Sequence, residues 1–581
     1  MNTTTIPRPE YPRPQLRRES FINLNGEWEF EIDNEHVGEK NGYFDPAHAL
    51  SGKITVPFCP ESKLSGVGNV DFMTGVWYRR KVTLEKKCGK RYFLHFGAAD
   101  YLTRAAVNGK PVGMHFGGYS SFSFDITDAA ENGENVITVC CYDDVRCRMQ
   151  PAGKQSVEFL SRGCSDTRTT GIWQTVWIEE VPETYIKALR LTPNVSAGQI
   201  VIEAECVKAL GKTLAVEAGF DGKCEGKAEV TVRDLCVTVA LPLDTVHLWE
   251  IGVGGLYDLK LTLGEDKVES YFGMRSAVYE DNRLIFNGRP LYQRLILDQG
   301  FYPDGIYTAP TDSELEADVL RSMAMGFNGA RLHQKVFEPR FLYYCDLHGY
   351  IVWGEHASWV TDISSGGYPS EFENQYNDGS WYDHKASAAV YRAFISEWTE
   401  IIKRDYSHPA IIGWCPFNET EKTQDRDLLR LVYDITKAYD RTRPVIDTSG
   451  YIHVITDVVD FHDYDPSGDS LAAKYGENGS CGPEMSFLSE YGGIWWAPQL
   501  LGTGTDNWGY GNNPRTPEEW LERFKKQTDA LLDSPRLSAF CYTQLTDIEQ
   551  EVNGLYYYDR RPKFDPELIR QIVSRKAKIE E

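Results

Sequence analysis

Two glutamates in this 581-residue chain close apolar runs. Glu419 ends "AIIGWCPFNE" (410–419), and Glu490 sits near the end of "MSFLSEY" (485–491). An oily stretch that turns polar at Asn418-Glu419 reads as a buried strand that stops at a cleft and presents a carboxylate there. The plainer reading is a core strand followed by a solvated helix start. Two carboxylates held across a pocket suit glycoside hydrolysis, in which one protonates the leaving oxygen while the other attacks or activates water. A gap of about 5 to 5.5 Å between them means a retaining double displacement, and a wider gap means inversion. The acid must carry its proton near neutral pH, and apolar surroundings and the second negative charge both push its pKa up. The Asn418 side chain can donate a hydrogen bond to a sugar hydroxyl.

Such a pair needs a scaffold that sets strand ends facing each other. From about residue 275 onward, strand-like runs alternate with amphipathic helical stretches. One of these, "TDSELEADVLRSMAMG" (311–326), opens on an N-cap and capping-box pattern. Eight strand candidates follow in order: 289–297, 329–333, 349–355, 410–417, 443–449, 458–464, 485–491 and 537–545. Alternation of this kind over some 300 residues predicts a parallel sheet, and its length suits a (β/α)8 TIM barrel, whose chemistry sits at the C-terminal ends of its strands. The fourth and seventh strands deliver the two glutamates from opposite sides of the ring.

The rest of the chain is all-β. Residues 1–182 show short alternating runs such as "VWYRRKVTL" (76–84), broken by turn signals such as "VNGK" (107–110). Residues 183–274 continue in strands over about the length of one immunoglobulin-like β-sandwich. The predicted organisation is therefore multi-domain: two β units, then a barrel over 275–581.

Composition narrows the partners. The formal charge is -24, with 61 basic residues against 85 acidic ones, a field that repels nucleic acid and anionic membranes. Aromatics make up 13% of the chain, which suits core packing and also the stacking of rings on sugar faces. Thirteen cysteines without a Cys-x-x-Cys pair speak against a disulfide framework and a structural zinc site. No run approaches a membrane span, and the opening "MNTTTIPRPEYPRPQ" lacks the apolar core of a signal peptide. The expectation is a cytoplasmic protein without cofactor or metal, acting on a glycoside or small oligosaccharide, with self-association left open.

"WCPFNE" (414–419) together with "SEYGG" (489–493) resembles the acid/base and nucleophile motifs of glycoside hydrolase family 2, and the resemblance covers nearly the whole chain. "LNGEWEFEID" (24–33), "VNGKPVGMHFGGYSSFSFDIT" (107–127) and "GIWQTVWIEEV" (171–181) resemble the family's jelly-roll sugar-binding-like domain. "LWEIGVGGLYDLKLTL" (248–263) resembles its immunoglobulin-like domain. "FNGARLHQKVFEPRFLYYCDLHGYIVWGE" (327–355) and "YTQLTDIEQEVNGLYYYDRRPK" (542–563) resemble its barrel.

The resemblance implies Glu419 as general acid/base, Glu490 as nucleophile and Asn418 as the ligand of the hydroxyl at carbon 2. Arg331 and His333 would hold Glu490 and line the subsite, and Tyr464, or else His462, would hydrogen-bond the nucleophile. Asp298 and Gln299 could fix distal hydroxyls, and Trp495 and Trp496 could stack on the sugar. The chain departs from the family's β-glucuronidases, whose Asn-x-Lys motif is here Asn553-Gly554-Leu555, with Arg560, Arg561 and Lys563 following. The resemblance thus implies a retaining exo-glycosidase, with β-galactoside cleavage first. β-Galacturonide, β-glucuronide, β-mannoside, β-galactofuranoside and α-L-arabinofuranoside cleavage stand behind it, and a catalytically silent carbohydrate-binding protein is the rival from another class. The aromatic-rich stretch 361–385 after the third strand reads as a lid over the pocket or as an oligomer contact.

Overall fold

The computed structural model describes residues 6–147, 149–358, 386–420, 425–450, 452–482, 484–501 and 503–580; the 361–385 stretch lies outside them. The N-terminal part pairs an antiparallel six-stranded sheet with a four-stranded one. The central strand of the larger sheet, Gly75–Leu84, alternates inward and outward side chains toward its end. Trp28, Tyr78, Leu94 and Val139 are among the residues that fill the core of this unit. Next come sheets of three and four antiparallel strands from Tyr185 to Gly273, packed around Ile202, Val216, Leu241 and Leu261.

In the C-terminal part, strands alternate with helices, as the sequence predicts. The strands are β1 (Gln293–Asp298), β2 (Gly329–Leu332), β3 (Ile351–Glu355), β4 (Ile411–Cys415), β5 (Thr448–Ser449), β6 (Val459–Asp463), β7 (Met485–Gly492) and β8 (Ala539–Thr543). Seven of them form one curled parallel sheet in the order β4-β3-β2-β1-β8-β7-β6. The fifth position is thinner than expected. Trp414 and Val445 form a single parallel bridge, and β5 pairs with the two residues Phe417–Asn418. Pro444 has no N–H to give, so this strand joins its neighbours through a few bonds only. Trp414 N–H donates to Pro444 O (3.1 Å), Ile446 N–H to Trp414 O (2.9 Å), and Asp457 N–H to Val445 O (2.9 Å).

The flanking helices are α1 (Asp312–Ala324), α2 (Pro339–His348), α3 (Ala388–Asp405), α4 (Arg426–Tyr439), α5 (Gly468–Tyr475), α6 (Pro517–Leu532) and α7 (Pro566–Val573). The predicted cap of α1 is present: the Thr311 side chain accepts from Glu314 N–H.

Inside the barrel, β3 and β4 are matched by reciprocal pairs. Trp353 stands opposite Gly413, and Gly354 opposite Trp414. A methyl group added at Gly413 would come within 2.3 Å of the Trp353 ring, and one at Gly354 within 2.8 Å of Trp414. Each glycine therefore makes room for the indole opposite it, and the four residues set the spacing of the two strands that lead to Glu355 and Glu419.

Candidate active site

Glu419 follows the short Phe417–Asn418 extension of β4. Its N–H donates to Ser449 O (2.7 Å), and its φ is +52°, in the left-handed region that costs a residue with a Cβ about 1–2 kcal/mol. Residues held this way cluster where the surrounding structure over-determines them. The turn aims the Glu419 side chain into the mouth, where it remains partly exposed while Asn418 is buried. Glu490 lies on an irregular stretch of β7. His462 pairs with Glu490 and Phe461 with Leu488, so Ser489 is the extra residue of a bulge against β6. Bulges re-aim side chains next to active sites, and here one turns the buried Glu490 inward. Carboxylate oxygens of Glu419 and Glu490 and a ring nitrogen of His462 all lie within 4.8 Å of one another.

Each carboxylate has its own set of partners. Arg331 Nη1 donates to Glu490 Oε1 (3.1 Å) and to Ser489 O (2.8 Å), and the Tyr464 hydroxyl donates to Glu490 Oε2. Arg331 Nη2 reaches Asn418 Oδ1 (3.0 Å) and Glu355 Oε1 (2.7 Å), so one buried guanidinium ties β2 to β3, β4 and β7. Acceptance by Asn418 Oδ1 fixes which way that amide points. His333 Nδ1 lies 3.0 Å from Glu355 Oε2 and 4.0 Å from Glu490 Oε1. Burial holds His333 well below the ordinary histidine range, against the opposing charge of Glu490.

His462 corrects one expectation. Its Nδ1 lies 2.7 Å from Glu419 Oε1, and its Nε2 is 3.5 Å from Glu490 Oε1, so its short contact is to the expected acid rather than to the nucleophile. Apolar surroundings were expected to lift the acid. Burial does push Glu419 up, but the hydrogen bond and charge of His462, with Lys154 and Arg331 behind it, more than reverse this. The carboxyl sits below its usual range. For His462 itself, burial works downward, and the two glutamates outweigh it and raise the ring. The imidazole and the carboxyl are thus hydrogen-bonded to each other, and each favours the charged form of its partner.

The other expected residues are mostly tied up. Asp298 is buried and accepts from Gly300 N–H (2.9 Å). Gln299 donates to Gln544, Gln544 to Asn553, and Asn553 to Glu551. Trp495 donates its indole N–H to Asn507 and packs on Ala497 and Val552, while Trp496 lies against Phe564. Both rings are taken up by packing. The aromatic face close to the glutamates is Tyr510, stacked on Tyr464 at 3.4 Å between ring centres. Arg560 pairs with Asp318, Arg561 with Asp559 and Lys563 with Asp547.

The comparisons with known proteins fit this architecture. Residues 308–576 match the model "Glycosyl hydrolases family 2, TIM barrel domain", and residues 21–152 match "Glycosyl hydrolases family 2, sugar binding domain". The chain belongs to glycoside hydrolase family 2. A beta-glucuronidase of Bacteroides fragilis is 24% identical over 81% of this family-2 chain and 68% of its own length. A beta-galactosidase of Thermoanaerobacter pseudethanolicus is 24% identical over 64% of this chain and 48% of its own. A relative from Formosa agariphila matches over only 40% of its length, so this chain spans about half of several curated relatives. Among solved structures, a beta-glucuronidase from an uncultured Clostridium superposes with a TM-score of 0.76 at 20% identity, covering 96% of this chain and 99% of the other. A beta-galacturonidase from Eisenbergiella tayi gives 0.73 at 17% identity, over 97% and 98%. These likenesses bear on the fold.

Two residues that act on the glutamate pair were not foreseen from the sequence. Glu355 ends β3 as a further, buried carboxylate, and a third strand-end glutamate was the available signal. Lys154 comes from the N-terminal β unit, is buried, and lies 3.6 Å from Glu551 in the loop after β8. Its segment is bonded to the barrel mouth: Gln550 Nε2 donates to Gly163 O (2.9 Å) and Asp166 Oδ1 (3.1 Å), and Trp508 Nε1 to Gly163 O (2.8 Å). Nothing local in the sequence joins residue 154 to a loop nearly 400 positions away. The Glu419–His462–Glu490 donor set could also hold a divalent cation, but the oxygens of Glu490 are already engaged by Arg331 and Tyr464. No helix among the described residues is long and apolar enough to cross a membrane.

Proposed function

We propose that this family-2 chain is a retaining exo-glycosidase in which Glu490 is the nucleophile and Glu419 the general acid/base. The observation that carries the reading is the approach of the two carboxylates to within 4.8 Å, which fits the short separation of a double displacement. In the first step Glu490 attacks the anomeric carbon, the glycosidic C–O bond breaks, and Glu419 gives its proton to the leaving oxygen. The hydrogen bond with His462 supplies that proton when the aglycone oxygen approaches. In the second step water loses a proton to Glu419 and attacks the glycosyl-enzyme, and Glu490 departs as carboxylate. Arg331 and Tyr464 position Glu490 and spread its charge, and Asn418 takes a ring hydroxyl.

A β-galactoside is the first substrate class. Lys154, a buried cation at the barrel mouth, already faces the carboxylate of Glu551, so the pair offers a donor and an acceptor to hydroxyls. The second reading is a β-glucuronide or β-galacturonide, in which a substrate carboxylate would take Lys154 from Glu551. The names of several relatives and the presence of that lysine favour it. Thirteen cysteines without a disulfide are consistent with a reducing, cytoplasmic location.

The test is p-nitrophenol release from β-galactoside, β-glucuronide and β-galacturonide by the wild type and by Glu490→Gln. Turnover of one glycoside, reduced on the order of 10⁴-fold or more in the variant, supports the reading. Full activity in the variant would remove Glu490 from the role.

A further inference from the structure

A second cavity lies at the opposite end of the barrel from the glutamates. It encloses about 860 Å3 between the Tyr185–Gly273 sandwich and the end of the barrel where the strands begin. One wall is the end of the strand Tyr185–Asn194 with the turn residues Val195 and Ser196. The opposite wall is formed by the turns that lead into β4 and toward β5, residues 406–409 and 441–444. That volume is within the range of small-molecule sites.

The lining is basic in a strongly acidic protein. Arg275, Lys437, Arg441 and Arg443 face the cavity, against the single carboxylate of Asp457. Asp457 is already engaged: its Oδ1 accepts from Tyr433, and its Oδ2 from Lys437 Nζ (2.9 Å) and Val445 N–H (2.9 Å). Arg443 pairs with Asp440 (2.7 Å) and donates to three backbone carbonyls. The remaining histidine of the lining, His408, is bound to Asp346 at 2.5 Å.

Arg275 is the exception. It is buried, its Nε donates to Pro409 O (3.0 Å), and its Nη2 donates to Ile411 O (2.8 Å). The Ile411 carbonyl also accepts from Arg443 Nε (2.7 Å), so two guanidinium groups converge on one oxygen. Arg443 has a carboxylate, whereas among the described residues none lies within ion-pair distance of Arg275. Burial, with Arg443 alongside, pushes the Arg275 guanidinium down to about 9. Asp440 and Asp346 act on it only from beyond ion-pair distance; a buried cation without a direct counter-charge is costly, and the cavity beside it is where one can enter.

We propose that this cleft is a binding site for a small organic anion bearing a carboxylate or phosphate group, held by Arg275 with help from Arg441. The site lies at the opposite end of the barrel from Glu419 and Glu490 and is independent of the substrate reading above. An anion seated there bridges the sandwich and the barrel.

Calorimetric titration of the full chain tests this, with inorganic phosphate and citrate as probes at constant ionic strength in chloride. Saturable binding of phosphate is expected if a phosphoryl group is the natural ligand, and of citrate if a carboxylate is. Arg275→Gln should abolish the binding. Arg441→Gln, at an exposed position that carries little risk to folding, should weaken it at least tenfold. Lys154→Met, at the barrel mouth, should leave it unchanged. The proposal is overturned if neither probe binds saturably, if Arg441→Gln binds like wild type, or if binding is lost in Lys154→Met alone.

Discussion

At the scale of single residues, the site is organised by one cation and one imidazole. Arg331 is fully buried between Glu355 and Glu490, so removing it leaves two buried carboxylates without the cation they share. Arg331→Met should lower the stability of the barrel by about 3–5 kcal/mol, read as a shift of the urea unfolding midpoint, alongside loss of turnover. His462 holds the expected acid below its ordinary range. In His462→Asn the largest downward influence is gone and only the weaker charges of Lys154 and Arg331 still oppose burial, so Glu419 keeps its proton to higher pH. The alkaline limb of the kcat/KM profile should therefore move upward, with a rate loss on the order of 10²-fold. A limb that stays in place would assign it to another group.

At the scale of elements, precision comes from small departures from regular structure. A left-handed residue ends the β4 extension, a bulge interrupts β7, and glycines opposite tryptophans let β3 and β4 approach. Gly413→Ala would drive a methyl group into the Trp353 ring, a contact that a packed barrel interior cannot easily relieve. Loss of about 1–3 kcal/mol is expected, visible as a lowered Tm. Because Trp353 neighbours Glu355 along β3, kcat should fall with it. Helix ends, in contrast, follow local rules: Thr311, Ser387 and Thr516 each cap a helix through the side-chain oxygen.

At the scale of the whole molecule, buried ionic networks make stability depend on pH. Burial works to lower the pKa of His453, but Asp447 and Asp460 outweigh it and raise the ring to about 10. A folded-state value above the unfolded one of roughly 6.5 gives stability that is complete below the unfolded value and lost as pH rises toward 10. The urea midpoint should therefore fall between pH 6 and pH 9.5, and His453→Gln should flatten that slope. An unchanged slope in the variant would place the alkaline sensitivity elsewhere. Lys154 belongs to this scale as well, since it brings the N-terminal β unit to the mouth of the barrel.

By itself the sequence determined what depends on neighbours along the chain. The period of apolar residues marked the barrel strands, Thr311 before an acidic turn marked a helix start, and the polar ends of two oily runs marked Glu419 and Glu490. The fifth strand was over-read: Pro444, visible in the run 443–449, already removes one ladder donor, and the paired part shrinks to Val445 and Thr448–Ser449. Only the tertiary structure decided which glutamate His462 touches, that Trp495 and Trp496 are packed away, that Glu355 completes the Arg331 network, and that Arg275 stands unpaired beside a cavity. These depend on distances between residues far apart in the chain. Burial and opposing charges set the protonation of such groups, and neither is a property of any short stretch of sequence.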